Sequence, residues 1–244
     1  MKTNTTFKEE ALSALKGNWG KGVLLMLIYF LLAGVFMGPV VYTSIAMQEQ
    51  LLELGGRNNI NQMLSAMQDP DFLSLQTQAN ASSSGLTLLE ILVLFPLSLG
   101  VLNAFRKLLT EGDNDLVPNA FHLGFKPYLH KVWGMLLMYI LIVLWTLLFI
   151  IPGIIKTYSY AMTPYILHEN PELSASEAIH RSRMMMKGHK FDLFWLQLSF
   201  IGWFFLCLLT TGIGFLWLQP YYYTAQAAFY EEVKSSYALE GGLD

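Results

Sequence analysis

The chain has 244 residues, of which 54% are hydrophobic and only 14% charged, with a formal net charge of −3. An average soluble domain carries about 25% charged residues, so an ordinary soluble fold is excluded, and there is no basic excess to bind nucleic acid. The single cysteine, Cys207, rules out an intramolecular disulfide or a thiolate metal cluster.

Residues 1–22 read as a cytoplasmic amphipathic arm. Phe7, Ala11, Leu12, Ala14 and Leu15 share one helical face, and Lys2, Lys8, Lys16 and Lys21 supply charge. Val23 to Met47 follows with no charge over 25 residues, long enough to cross about 30 Å of hydrocarbon. That run is well beyond the 7 to 15 apolar residues of a signal peptide and predicts an uncleaved anchor. Residues 48–84 form a polar, Gln/Asn/Ser-rich insertion outside the membrane, where Ile60, Met63, Leu64 and Met67 recur at helical spacing. Further apolar segments cover about 85–105, 132–151, 154–168, 192–211 and 213–230.

The short 154–168 segment contains Lys156 and Pro164, but topology argues for it. With the arm, 106–131, 169–190 and the tail on one side, that side holds Lys2, Lys8, Lys16, Lys21, Arg106, Lys107, Lys126, Lys131, Arg181, Arg183, Lys187, Lys190 and Lys234. These are 13 of the 15 basic residues, and the positive-inside rule makes their side cytoplasmic. A single crossing between 132 and 168 would place the flanking basic loops in opposite compartments, so the segment crosses twice, turning at Pro152-Gly153, or not at all.

The expected fold class is an all-α membrane protein: six transmembrane helices as three helical hairpins with cytoplasmic interfacial amphipathic segments, in a single polytopic domain over 1–244. Both termini are cytoplasmic. Gly17, Gly124 and Gly188 precede the three pairs at similar distances, which suggests a repeated unit. In 169–190, Ser174 and Glu177 form a capping-box pattern. The helix that follows has Ala178, Ile179, Ser182, Met185 and Met186 on one face. Opposite them stand Glu177, His180, Arg181, Arg183 and Lys187. Arg181, Arg183 and Lys187 form a basic face for anionic phospholipid at the cytoplasmic leaflet, while Trp19 and Trp133 fall where an aromatic belt belongs.

No zinc-protease, phosphate-loop, nucleophile-elbow or CxxC motif is present, so no enzyme activity, metal or cofactor is expected. The five histidines have no i+3 or i+4 partner histidine; only a three-dimensional group of His168, Glu169, His180 and His189 could ligate a metal. Polar groups within the spans are more informative, because ionisable side chains there are costly. Glu90 and Lys156 are expected at similar depth near the outer end, where they could pair. Lys156, Ser159, Tyr160 and Thr163 stripe the fourth span, and Gln219, Tyr222, Tyr223, Gln226 and Tyr230 the sixth. Facing stripes would line an outer-half cavity, with Glu90, Lys156, Tyr160, Gln219, Tyr223 and Gln226 as its ligand-binding residues. Interhelical hydrogen bonding between the same groups is the competing reading.

The blocks FIIPGIIK, ENPELSASEAI, MKGHK, SFIGW and the N-terminal ALKGNWGKGVLL resemble the bacterial integral membrane family known as domain of unknown function 975. The likeness covers most of the chain apart from the polar insertion. It implies a multi-pass protein of the bacterial cytoplasmic membrane, most familiar from Gram-positive bacteria, and brings no catalytic residues. The functional expectation is non-enzymatic binding or transport of a lipid or amphipathic molecule. The alternative is a scaffold that docks a membrane-protein partner through its amphipathic helices, with a lipid-headgroup enzyme behind both.

Overall fold

The computed structural model describes residues 1–55, 61, 64–65 and 67–239, and among these there is no strand. The helices are α1 (Asn4–Leu15), α2 (Trp19–Gly55), α3 (Pro70–Glu111), α4 (Leu116–Phe125), α5 (Tyr128–Leu148) and α6 (Ile150–Tyr160). After them come α7 (Thr163–Glu169), α8 (Ala175–Met185), α9 (Lys190–Leu198), α10 (Ile201–Leu209) and α11 (Phe215–Leu239). The chain divides into two compact units, one of residues 29–94 and one of 1–28 with 95–244.

The 29–94 unit holds the far part of α2, with Pro39 inside the helix, and the first part of α3. Both helices run past the ends the sequence suggested. Residues 48–55 and 70–84, expected in a polar insertion over 48–84, continue α2 and α3. Ile60 and Met63 lie outside the described residues. Polarity alone does not end a helix; Gly55 stands only at the last position of α2, and Pro70 at the first position of α3, where it is tolerated.

In the other unit, α1 begins at Thr3, whose side chain accepts the Thr6 N–H at 3.3 Å. Its face of Phe7, Ala11 and Leu15 is buried on α11, with the Phe7 and Phe229 rings 5.6 Å apart. The capping box at Ser174 and Glu177 forms as expected, and Ala178, Ile179, Ser182, Met185 and Met186 are all buried. Their cover is protein: α8 packs on α5, α6 and α7. Both amphipathic segments therefore spend their apolar faces on the helical core rather than on lipid, which corrects the expectation that they lie free along the leaflet. Tyr165, Tyr230, Phe229, Met162 and Leu193 complete that core.

Among the described residues, four helical segments are long and apolar enough to cross a membrane: Trp19–Phe36, Leu89–Glu111, Tyr128–Leu148 and Lys190–Leu209. The expected 154–168 span is broken, because α6 ends at Tyr160 and α7 begins at Thr163 with Pro164 in its first turn. Ser182 services that break, its hydroxyl donating to the Ser159 carbonyl at 3.0 Å and accepting the Met162 N–H at 3.1 Å. The sixth expected span lies within α11, which is long but interrupted by glutamine and tyrosine. The α5–α6 hairpin turns at Phe149, in extended conformation, and not at Pro152-Gly153. Pro152 falls in the first turn of α6, where its missing N–H costs no helical bond.

Of the three glycines read as a repeat, Gly17 and Gly188 do the same work, ending a helix at φ +82° and +91° just before the next begins. Gly124 is different, because it sits within α4 and lets α3 approach. A Cβ there would lie 2.5 Å from the Pro96 carbonyl oxygen, and one on Gly100 would lie 1.9 Å from that of Ala120. No side chain moves to relieve such a clash, so the helices must part. Gly100→Ala is expected to cost at least about 2 kcal/mol and lower the thermal transition in detergent. An unchanged transition would mean that α3 and α4 do not pack this closely.

Candidate functional site

A partly buried group of charges joins three helices. Arg106 of α3 donates to Glu169, the last residue of α7, and to Glu231 of α11. Lys234 donates to the same Glu169 at 2.6 Å, and the Tyr230 hydroxyl donates to its second oxygen. Tyr230 in turn stacks on Tyr165 with centroids 4.5 Å apart. Burial alone would raise the Glu169 carboxyl, but the bonds from Lys234 and Tyr230 and the nearby Arg106 charge outweigh it and hold it below the usual carboxylate range.

Beside this cluster a polar cavity of about 470 Å³ is lined by Glu169, Asn170, Arg181, Tyr230 and Lys234, with Ile166 and Met185 behind them. Arg181 reaches into it, donating to the Asn170 side chain at 3.2 Å. The expected basic face is therefore split. Arg181 and Arg183 are two positions apart, about 200° around a helix, so Arg181 turns into the cavity while Arg183 and Lys187 stay exposed.

A second cavity, about 330 Å³, lies where α9, α10 and α11 meet. Its walls are Phe200, Ile201, Phe204 and Leu218, and its polar groups are Gln197, Gln219, Tyr222 and Tyr223. Two of the sequence-derived ligand residues, Gln219 and Tyr223, thus share one cavity. Gln226, two turns further along α11, does not line it. From α6 the group that arrives is the Tyr158 hydroxyl, which donates to Gln197 at 3.0 Å. Lys156 instead lies 4.4 Å over the Trp145 ring and 5.9 Å from that of Tyr160, which is buried. Glu90 belongs to the 29–94 unit and is half-buried there.

The histidines go separate ways. His168 lies 3.5 Å from the Lys131 ammonium, His180 is 3.4 Å from Arg183, and His189 meets Asp192 at 3.2 Å. No group of three or more metal-ligating side chains occurs among the described residues.

Three groups escaped the sequence reading. Lys131 is fully buried, and its ammonium hydrogen-bonds the carbonyls of Leu123 and Lys126 at the C-terminal end of α4, where a cation suits both the free carbonyls and the helix dipole. Asn103, also buried, donates to the carbonyls of Leu99 and Pro164, tying α3 to the start of α7. The Arg106–Glu169–Lys234 cluster is the third. Its signal was present, since three charged positions stand at the same-side ends of three spans, but pairing them needs knowledge of which helices are neighbours.

Among the described residues, fold and site define an all-helical protein with four helical segments long and apolar enough to cross a bilayer and a partly buried charge cluster joining three of its helices. The chain matches, over residues 1–237, the family described as protein of unknown function (DUF975), and it belongs to that family. No curated protein and no solved structure matches it.

Removing the Glu169 charge leaves Arg106 and Lys234 without their shared acceptor. Glu169→Gln is expected to cost about 2–3 kcal/mol near neutral pH, read as a lowered thermal transition. Because the folded-state carboxyl is depressed, its contribution is present above the unfolded value near 4.3 and is lost as pH falls through the lower folded value. Wild type and variant should accordingly converge in acid. A gap that stays constant down to pH 3 would show that the carboxylate charge is not what holds the cluster.

Proposed function

We propose that this is a non-enzymatic protein of the bacterial cytoplasmic membrane, with both termini in the cytoplasm, that binds or moves a lipid or similar amphipathic molecule. The 330 Å³ cavity carries this reading. It is within the size range of small-molecule sites, and its aromatic and aliphatic walls surround a few polar groups. Those groups are amides and phenols, without a formal charge, which suits the ester or hydroxyl region of a lipid better than a phosphate. The separate 470 Å³ cavity, with Arg181 and Lys234, is the place where an anionic headgroup would be held.

A scaffold role is the second reading, and α8 favours it. With its apolar side occupied by the core, it still presents Glu177, His180, Arg183 and Lys187 to solvent, a charged surface that a membrane-protein partner or anionic lipid could meet.

Native mass spectrometry of protein released from its own membrane in mild detergent separates the two. Wild type is expected to retain a defined lipid or small molecule, and Gln219→Leu combined with Tyr222→Phe to retain it at least about tenfold less, the effect of losing one or two hydrogen bonds in an apolar site. A wild type that emerges bare would sink the binding reading. Capture of a discrete membrane protein that is lost on neutralising Arg183 and Lys187 would favour the scaffold.

A further inference from the structure

Two of the three expected hairpins carry exposed apolar side chains at their tips, wholly so in α5–α6, while the α10–α11 turn also holds Thr210 and Thr211. In the α5–α6 hairpin, Leu147, Leu148, Phe149, Ile150 and Ile151 are consecutive and 61–78% exposed, and no charged residue occurs from Val132 to Ile155. In α10–α11, Leu209 is 82% and Ile213 60% exposed, and no charge occurs from Leu193 to Tyr230. A turn that surfaced in water on the far side of a bilayer would carry polar residues; the Leu147–Ile151 tip has none.

The depth of these tips can be read from the residues that flank them. Lys190 lines a common cavity with Ile154, Ile155 and Tyr158, and the Tyr158 and Phe194 rings are 6.1 Å apart. Ile154 and Ile155 are five and six residues past Phe149, about 8–9 Å along a helix. The Lys8 ammonium donates to the Ser199 carbonyl at 2.9 Å and lies 4.5 Å over the Phe200 ring, which packs against Tyr221 and Tyr222. From Phe200 to the turn at Thr210 is about 15 Å. A Cβ on Gly22, next to Lys21, would lie 3.2 Å from Pro220, eight residues or about 12 Å from Gly212. Leu12 and Trp19 even share a cavity with Thr210 and Gly214 of the turn itself.

Lys8, Lys21 and Lys190 all belong to segments that the charge asymmetry assigns to the cytoplasm. The tips therefore extend only about 8–15 Å beyond cytoplasmic cations, against a hydrocarbon core of about 30 Å. Allowing for a lysine stem that reaches back toward water still leaves the tips short of the far interface. Along the α5–α6 hairpin, α8 exposes Glu177, His180 and Arg183 to solvent while packed on α5 and α6, so water reaches the part of that hairpin that α8 covers.

We propose that the α5–α6 and α10–α11 hairpins enter only the cytoplasmic leaflet, as paired wedges seated among its acyl chains, and that the helices Trp19–Phe36 and Leu89–Glu111 alone cross. Two crossings, like six, leave both termini inside. The assignment also improves the charge asymmetry, because Lys156 joins the cytoplasmic side and Arg57 becomes the one basic residue across the membrane. Trp195 then lies on its wedge at the cytoplasmic end, near the interface where indoles concentrate. Wedges that widen one leaflet make the apolar tips a lipid-engaging surface, independent of what fills the cavity at Gln219.

The test uses the full chain with Cys207→Ser and single cysteines at exposed tip sites, Phe149→Cys and Ile213→Cys, with Ile150→Cys and Leu209→Cys as a second pair. Gln68→Cys and Lys187→Cys serve as references for the outer and cytoplasmic sides. In intact spheroplasts and in inverted vesicles, a membrane-impermeant maleimide should label the tip sites at less than about a tenth of the reference on the same side. A bimane on the tips, in vesicles of anionic phospholipid, should be quenched most by doxyl groups near the end of the acyl chain. Labelling from outside at the level of Gln68→Cys would overturn the proposal in favour of full crossings. Tips unquenched by doxyl at any depth would overturn it too, showing that protein, such as a second copy, covers them.

Discussion

Glu169 is the point on which the larger unit closes. It ends a helix of seven residues, too short to be stable on its own, and its carboxylate is the shared acceptor for Arg106, Tyr230 and Lys234. One side chain thereby fixes α3, α7 and α11 at a common height. Because a carboxylate with three donors is far cheaper to bury than one with none, the arrangement forces its partners to stay together. That in turn places Tyr165 against Tyr230 and fixes the position of α11 relative to α7.

The break between α6 and α7 follows from the same demand for satisfied polar groups. A helix interrupted in apolar surroundings frees backbone N–H and C=O groups that must find partners. Here they come from outside the helix: the Ser182 hydroxyl serves Ser159 and Met162, and the Asn103 amide serves Pro164. These bonds pull α8 and α3 onto the break. The amphipathic helix that an isolated reading assigns to the membrane surface is thus drawn into the core, and its Arg181 is turned toward Glu169 rather than toward lipid.

Local features were legible in the sequence, and long-range ones were not. The capping box at Ser174, the apolar faces of α1 and α8 and the all-helical class follow from residue spacing, and the structure has them. Spacing also paired Gln219 with Tyr223. It failed where an outcome depends on what a helix meets. Lys131 looked like one more cytoplasmic cation because nothing in its neighbourhood announces the free carbonyls of α4. The polar residues at 48–55 and 70–84 read as an insertion separate from the spans because hydropathy marks where an apolar run stops, not where its helix does. Lys156 and Tyr160 were grouped with Gln219 by depth alone, whereas the group that faces Gln197 is Tyr158, two residues from either.

The shallow insertion proposed for the two hairpins has a physical basis. Hydropathy measures how long an apolar segment is, not how much of that length another part of the chain covers. Residues 132–151 and 192–211 are long enough to span a bilayer, yet the flanking basic segments double back along them, Lys190 beside Ile154 and Lys8 beside Phe200. The apolar length is shared between a protein-covered half, where Val132, Met135, Leu193 and Leu196 are buried, and a bare half, where Leu147 and Leu209 stand free. A segment whose one half needs protein and whose other half needs lipid is what a hairpin seated at the boundary between a cytoplasmic body and a single leaflet requires. A full crossing would expose the covered half's charged neighbours to hydrocarbon, at a cost of several kcal/mol for each unpaired ion.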